Sequence, residues 1–476
     1  MRKGSSDLEN GYFMRRSIAI LLLWIVPLVL SAQQTDTSSF FPLGLWGIWL
    51  ESNDPPLNGG YVGKGWHQEV VNLQRIKANY LVFGMPVQVE DTLVMIADTI
   101  QYKVGIGNND YVTHDPNSLL WWLRAGKLSD SADAIRIIRL IKKKYNSHPS
   151  FYSYQLDDEG SMDQPSRWPL IEFVAQKIHE LDPQRRSFGS TGPVPPQIFF
   201  DEIPHLDVFQ FDQYPFFSIH PPIYSGQQTA LDRHLIGPYN DLMNRLRGKW
   251  TEWQAIIQSQ EDVRPFGEIN LRRPNFYELR VQAYLALSRG ARGILYYAYG
   301  SSKPKGDGEW GTDGLVDINP TTGDREKWED IHHGKNTTPA FDNVSRLNSE
   351  LRRIGPTIRK LRVYDAFPHT SIPFDNIAHI RTVKSDYYFG PRFEVGTFKR
   401  IDRGVDSTVY FLLVNRVCNN DDGSVSPQQN FSITFSNEMP LVITEVVSGK
   451  KYNLPRWGIL TDVISPGEGK LYEIAK

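Results

Sequence analysis

Between Phe40 and Leu361, short apolar runs alternate with stretches whose apolar residues recur every three or four positions. The runs are Leu43–Trp49, Tyr80–Gly84, Tyr102–Gly107, Ser150–Leu156, Ser187–Ser190, Val208–Phe211, Ala255–Gln258 and Gly293–Tyr297. Each has the length of a buried strand. Amphipathic segments lie between most of them. Ser131–Tyr145, with Ile135, Ile138, Leu140 and Ile141, and Tyr277–Ser288, with Leu279, Ala283, Leu285 and Ala286, are good examples. Strand–helix alternation implies parallel strands joined by right-handed crossovers. Eight such units predict a (β/α)8 TIM barrel over residues 40–365. A doubly wound open sheet would carry a glycine-rich turn after its first strand, and Glu51-Ser52-Asn53-Asp54-Pro55-Pro56 is not one.

The pattern changes towards both ends. Thr408–Val414, Phe431–Phe435 and Leu441–Val447 are short and rich in β-branched residues, and turn clusters such as Asn419-Asn420-Asp421-Asp422-Gly423 divide them. They predict a small antiparallel β-sandwich over 370–476, entered near Ala366-Phe367-Pro368. At the start, Arg15 and Arg16 precede an apolar run from Ile18 to Leu30, followed by Ser31-Ala32. The run is short of the roughly 20 residues that span a bilayer and has the regions of a secretory signal peptide. Residues 1–32 are therefore expected to be removed, with cleavage near Ala32. The mature protein is expected to be secreted or periplasmic, without stable membrane insertion.

Composition narrows the functional classes. Lys and Arg number 52 against 54 Asp and Glu, so no basic surplus calls for a nucleic-acid partner. A single cysteine, Cys418, excludes an internal disulfide framework and a cysteine-built zinc site. No paired-histidine motif, phosphate-binding loop or Gly-x-Ser-x-Gly elbow is present, so neither a metal nor a cofactor is expected.

In a barrel the working residues come from the C-terminal ends of the strands. The fourth strand ends in Gln155-Leu156-Asp157-Asp158-Glu159. Alternation puts Tyr152, Tyr154 and Leu156 under the helices and Ser153, Gln155, Asp157 and Glu159 towards the axis. Three adjacent acids raise one another's pKa values, and a carboxyl kept protonated acts as a general acid. Asp158 also suits a helix cap. On the sixth strand Asp212 shares a face with Gln210 and points across the mouth, although an Asp there also suits backbone capping. Two such carboxylates are what glycoside hydrolysis requires. Trp46, Trp49, Tyr214, Tyr299 and Trp310 are candidate stacking platforms for sugar rings, with core packing as the competing role for each. Asn108 and Gln258 are candidate partners for sugar hydroxyls. Glu261 and Asp262 read as solvated loop charges, Asp313 as a loop residue near the pocket, and His148 as a turn residue.

Ser147-His148-Pro149-Ser150 leading into a strand, the Asp158-Glu159 pair, the stretch Leu347–Pro356, Val414-Asn415-Arg416 and the closing Ile464–Gly469 together resemble clan A glycoside hydrolases, including family 42-like β-galactosidases. The resemblance implies a carbohydrate substrate and casts Glu159 as general acid/base. It departs at strand seven, where the clan has a nucleophilic Glu and this chain reads Ile257-Gln258-Ser259-Gln260. Three expectations follow. Asp212, or Asp157, supplies the second carboxylate, as clan D barrels do from strand six; Glu261 reaches back into the site; or the protein is a catalytically inactive glycan-binding barrel.

Overall fold

The computed structural model describes residues 40–46, 66–82, 87–107, 119, 122–123, 131–157, 164–192, 199–219, 222–263, 271–301, 311–319, 321, 325–331, 339–385, 392–401, 408–437 and 439–475. Its centre is a closed parallel barrel. The staves are β1 (Leu43–Trp46), β2 (Tyr80–Val82), β3 (Lys103–Ile106), β4 (Phe151–Asp157), β5 (Arg186–Thr191), β6 (Val208–Gln213), β7 (Glu252–Gln258) and, after the short β8 (Glu261–Val263), β9 (Ile294–Tyr297), which closes on β1. This is the expected (β/α)8 TIM barrel. Among the described residues no helix is long and apolar enough to cross a membrane.

Side-chain alternation sorts each stave into a face under the helices and a face in the lumen. On β6, Phe209 and Phe211 stack on each other and join the main core, while Val208, Gln210 and Asp212 face inward. The lumen is filled by Trp46, Tyr80, Val82, Phe188, Val208, Ile256 and Leu295. Tyr80 reaches across this space to hydrogen-bond Ser153 at 3.0 Å. Gly105 makes room for it, because a Cβ there would lie 2.7 Å from the Tyr80 hydroxyl. Higher in the lumen Gln210 donates to Gln254 at 3.0 Å.

Two expectations of face are corrected. The β3–β4 register slips between Val104↔Phe151 and Gly105↔Ser153, a bulge that turns Tyr152 inward against Phe40, Tyr80 and Phe188 instead of under the helices. In the helix Ser131–Tyr145 the buried stripe is Ala134, Ile137, Ile138, Ile141 and Tyr145, and Leu140 is exposed.

The N-terminal end of the barrel is closed by charge. Glu252 receives Arg186 at 2.9 Å and Arg359 at 2.8 Å and is also paired with Arg292. Burial alone would push its carboxyl up, but the three guanidiniums overrule that and hold it far below the usual carboxylate range.

The remaining strands are antiparallel. β8 pairs with β10 (Gly311–Asp313), and β11 (Val316–Ile318) with β12 (Arg325–Lys327). The expected C-terminal β-sandwich follows. Its larger sheet contains β13 (Leu361–Pro368), β15 (Phe393–Arg400), β16 (Val409–Asn415), β18 (Leu441–Glu445), β19 (Lys451–Leu454) and β21 (Gly469–Ala475). The smaller contains β14 (Ile380–Ser385), β17 (Gln429–Phe435) and β20 (Ile459–Ile464). The first strand thus begins at Leu361, ahead of the expected junction.

β16 is apolar from Val409 to Val414 because both of its faces are covered. Phe411 and Leu413 enter the core between the two sheets, whereas Tyr410, Leu412 and Val414 belong to the barrel's core. The element on that side is the helix Phe276–Ser288, which is buried at every position but Tyr277. Contact is close enough that a Cβ at Gly396 would sit 2.2 Å from the Ser288 carbonyl oxygen. Glu394 then bridges Arg289 from below the helix and Arg416 from the sheet, and Arg416 also pairs with Asp232.

Candidate functional site

At the C-terminal end of the barrel, β4 finishes on Asp157 and β6 finishes one residue beyond Asp212. Asp212 lies level with Ile256 on the lumen face, at 5% exposure. Tyr214, next on the same alternation, is half-buried and stacks on Tyr297 from the end of β9, with ring centroids 5.5 Å apart and planes 25° from parallel. A carboxylate beside a pair of flat rings at a barrel mouth can hold a pyranose, since the rings cover the sugar's apolar face while the carboxylate meets its polar edge. Trp46, at 6% exposure, forms part of the floor through the lumen cluster.

Of the remaining expected site residues, Asp158, Glu159, Trp49, Asn108 and Trp310 lie outside the described residues. Asp157 is described as the last residue of β4, without its side chain. His148 occupies the expected turn and meets Asp98 through Nδ1 at 2.7 Å.

Tyr299 is not a platform. It is fully buried in the main core. β9 ends at Tyr297, so alternation ceases to hold two residues later. The ring that stacks on Tyr214 is instead that of Tyr297, and counting inward positions from Leu295 would have found it.

Gln258 is also corrected. It has no exposure, and its amide is committed to main chain: Oε1 accepts from the Phe216 N–H at 2.9 Å, while Nε2 donates to the carbonyls of Phe216 at 3.1 Å and Arg272 at 2.7 Å.

Glu261 and Asp262 are buried rather than solvated, and lie in β8, which pairs edge to edge with β10. Glu261 faces Arg273 at 3.7 Å. That guanidinium also donates to the Asp313 and Gly314 carbonyls and rests 4.1 Å over the Trp328 ring. Burial lowers the Arg273 pKa, with Glu261, Asp313 and Glu329 opposing the effect. Glu261 is thus paired with an arginine in the interior. Among the described residues no group of three or more His, Cys, Asp or Glu is placed to hold a metal ion.

The architecture has known counterparts. The structure is similar to that of a catalytic mutant of Gan42B, a GH42 β-galactosidase from G. stearothermophilus, with a TM-score of 0.55 over 92% of this chain and 99% of that one, at 8% identity. It is also similar to a β-galactosidase from Bacillus circulans sp. alkalophilus, with a TM-score of 0.51 over 93% and 100% of the two chains, at 9% identity. The fold is theirs. Shared architecture extends through the barrel and the C-terminal strands alike, because both coverages exceed nine-tenths. No protein-family model matches the chain, and no curated protein matches it.

Proposed function

We propose that this protein is a glycoside hydrolase that cleaves O-glycosidic bonds of an oligosaccharide or polysaccharide at the C-terminal mouth of its barrel. In this reading Glu159 protonates the leaving oxygen. Asp212, or Asp157 beside the acid, attacks the sugar or activates water, and Tyr214 with Tyr297 cradles the ring. The protein acts outside the cytoplasm, secreted or periplasmic, after removal of residues 1–32. The observation that carries the proposal is the placement of Asp212 on the lumen face of a strand that leads to the stacked tyrosines, two staves from a strand whose last residue, Asp157, is followed by Asp158 and Glu159. The likeness to GH42 barrels adds support of the same architectural kind.

One observation favours a second reading, a barrel that binds glycan without cleaving it: the end of β7 presents a committed amide at Gln258 and no carboxylate. A panel of p-nitrophenyl glycosides and of plant and algal polysaccharides separates the two. Under the first reading wild type turns over at least one of them, and Glu159→Gln and Asp212→Asn each lower kcat by about 10²–10⁴-fold while the thermal midpoint stays put. Turnover that persists in both variants would refute the two-acid assignment. Binding without turnover in wild type selects the second reading.

A further inference from the structure

We propose that Gln258 is a positioning residue that fixes the strand-six rim of the mouth, and that its place is built for a neutral amide and against a carboxylate. The inference rests on the hydrolase reading only for what that rim does; the geometry stands without it.

Three backbone groups converge on the Gln258 side chain: one N–H and one C=O from Phe216, and one C=O from Arg272. An amide is the side chain that answers this set, since Oε1 accepts once and the two Nε2 hydrogens donate once each. The segments it joins are otherwise tied to each other. The Arg272 N–H donates to the Phe216 carbonyl at 2.9 Å, Phe217 and Leu271 form an antiparallel bridge, and the Arg272 guanidinium covers the Phe216 ring at 4.9 Å. Gln258 closes this patch from beneath. Asp212 and Tyr214 are carried by the chain that runs directly into it.

The clamp is held from behind. Gln282 accepts from the Gln258 N–H at 3.0 Å and donates to its carbonyl at 3.2 Å. One turn away on the same helix, Glu278 receives both terminal nitrogens of Arg272, at 2.8 and 2.6 Å, and caps its own helix with Asn275. Gln227 donates to Glu278 at 3.2 Å and accepts from the Cys418 N–H at 3.1 Å. A chain of buried hydrogen bonds therefore runs from the rim to the strand end of the sandwich. Gln258, Gln282, Glu278, Gln227 and Cys418 are all closed to solvent.

A carboxylate in place of Gln258 would keep the acceptor and lose both donors, leaving two carbonyl oxygens against a negative charge. The charged and titratable groups on the elements packed around it are Asp212, Glu261, Asp262, Arg272, Arg273, Glu278 and Arg280, with His234 against the Phe217 ring, and comparison with wild type at each pH removes their contribution. Arg272 and Arg273 are already engaged by carboxylates. Protonated, the same side chain would regain one donor.

Hydrogen exchange of peptides covering 214–219, compared with wild type at each pH, tests the proposal on the full chain without needing a substrate. In Gln258→Leu exchange there rises about tenfold or more, while the strands Tyr80–Val82 and Lys103–Ile106 keep their protection. Gln258→Glu serves where the leucine variant does not fold. Its rim is protected near pH 5 and loosens as the pH rises, a profile that loss of packing alone would not give. Gln227→Leu, which does not touch the rim, loosens the same peptides by about twofold to threefold. Rim exchange unchanged in Gln258→Leu, or independent of pH in Gln258→Glu, overturns the assignment. Absence of turnover in wild type would instead count against the hydrolase reading and leave the exchange result intact.

Discussion

At the N-terminal end of the barrel Glu252 is enclosed by Arg186, Arg292 and Arg359, whereas at the C-terminal end Asp212 follows Gln210 on the lumen face and leads to two stacked tyrosines. Both are buried carboxylates at the tips of staves. The lower one has its charge matched by named cations, so its role ends within the fold. The upper one lies level with Ile256 on the lumen face, at the end of the barrel where Tyr214 and Tyr297 stack. Where three guanidiniums close around an acid, as at Glu252, the acid holds the structure.

Removing the lower carboxylate should break the contrast most visibly. Glu252→Gln leaves three buried guanidiniums without their anion and should lower stability by roughly 3–5 kcal/mol in chemical denaturation, with turnover per folded molecule unchanged. The sign with pH follows from the direction of its shift. A carboxyl held low in the folded state contributes fully above its unfolded value of about 4.3 and loses that contribution as pH falls through the folded value. Acid should therefore narrow the gap between wild type and variant; a gap that widens in acid would contradict the arginine cage.

At the mouth, Tyr214→Ala removes one half of the stacked pair and should raise KM by about 3–10-fold with a smaller change in kcat, read on whichever glycoside wild type cleaves. An unchanged KM would return the tyrosines to packing.

The smallest effect belongs to the lower half again. His179 meets Asp207 at 2.9 Å, and although burial alone would lower its pKa, that hydrogen bond and charge overrule it and raise it. A raised histidine stabilises the fold below about pH 6.5, and the contribution fades as pH rises through its folded value. His179→Ala should thus differ from wild type by up to about 1 kcal/mol at pH 5.5 and by less at pH 8.5, measured by denaturant titration at both.

The staves were legible because each is a short apolar run followed by a turn or helix signal, and parallel strands bury both faces. What sequence could not show was which way individual side chains turn once regularity breaks. The bulge at Phe151–Ser153 reversed Tyr152, and the end of β9 stranded Tyr299 in the core. At the site, Asp212 is on the face that alternation gave it, shared with Gln210 and level with Ile256. Gln258 was legible as a strand-end amide, but nothing in a lone glutamine tells whether its hydrogens meet a ligand or its own main chain. Glu261 was misjudged for a related reason: its counter-ion, Arg273, arrives from a later segment that only the fold brings alongside.

The helix Phe276–Ser288 has consequences for how this molecule can be divided. Walled by staves on one flank and by a sheet on the other, it behaves as a keel shared by two hulls. Cutting the chain after Arg359 would bare that keel and orphan Arg289, whose carboxylate partner lies in the severed piece. Neither product would be a working miniature. Anyone transplanting this barrel into a chimaera must carry its C-terminal strands along, or repaint a whole helix for water.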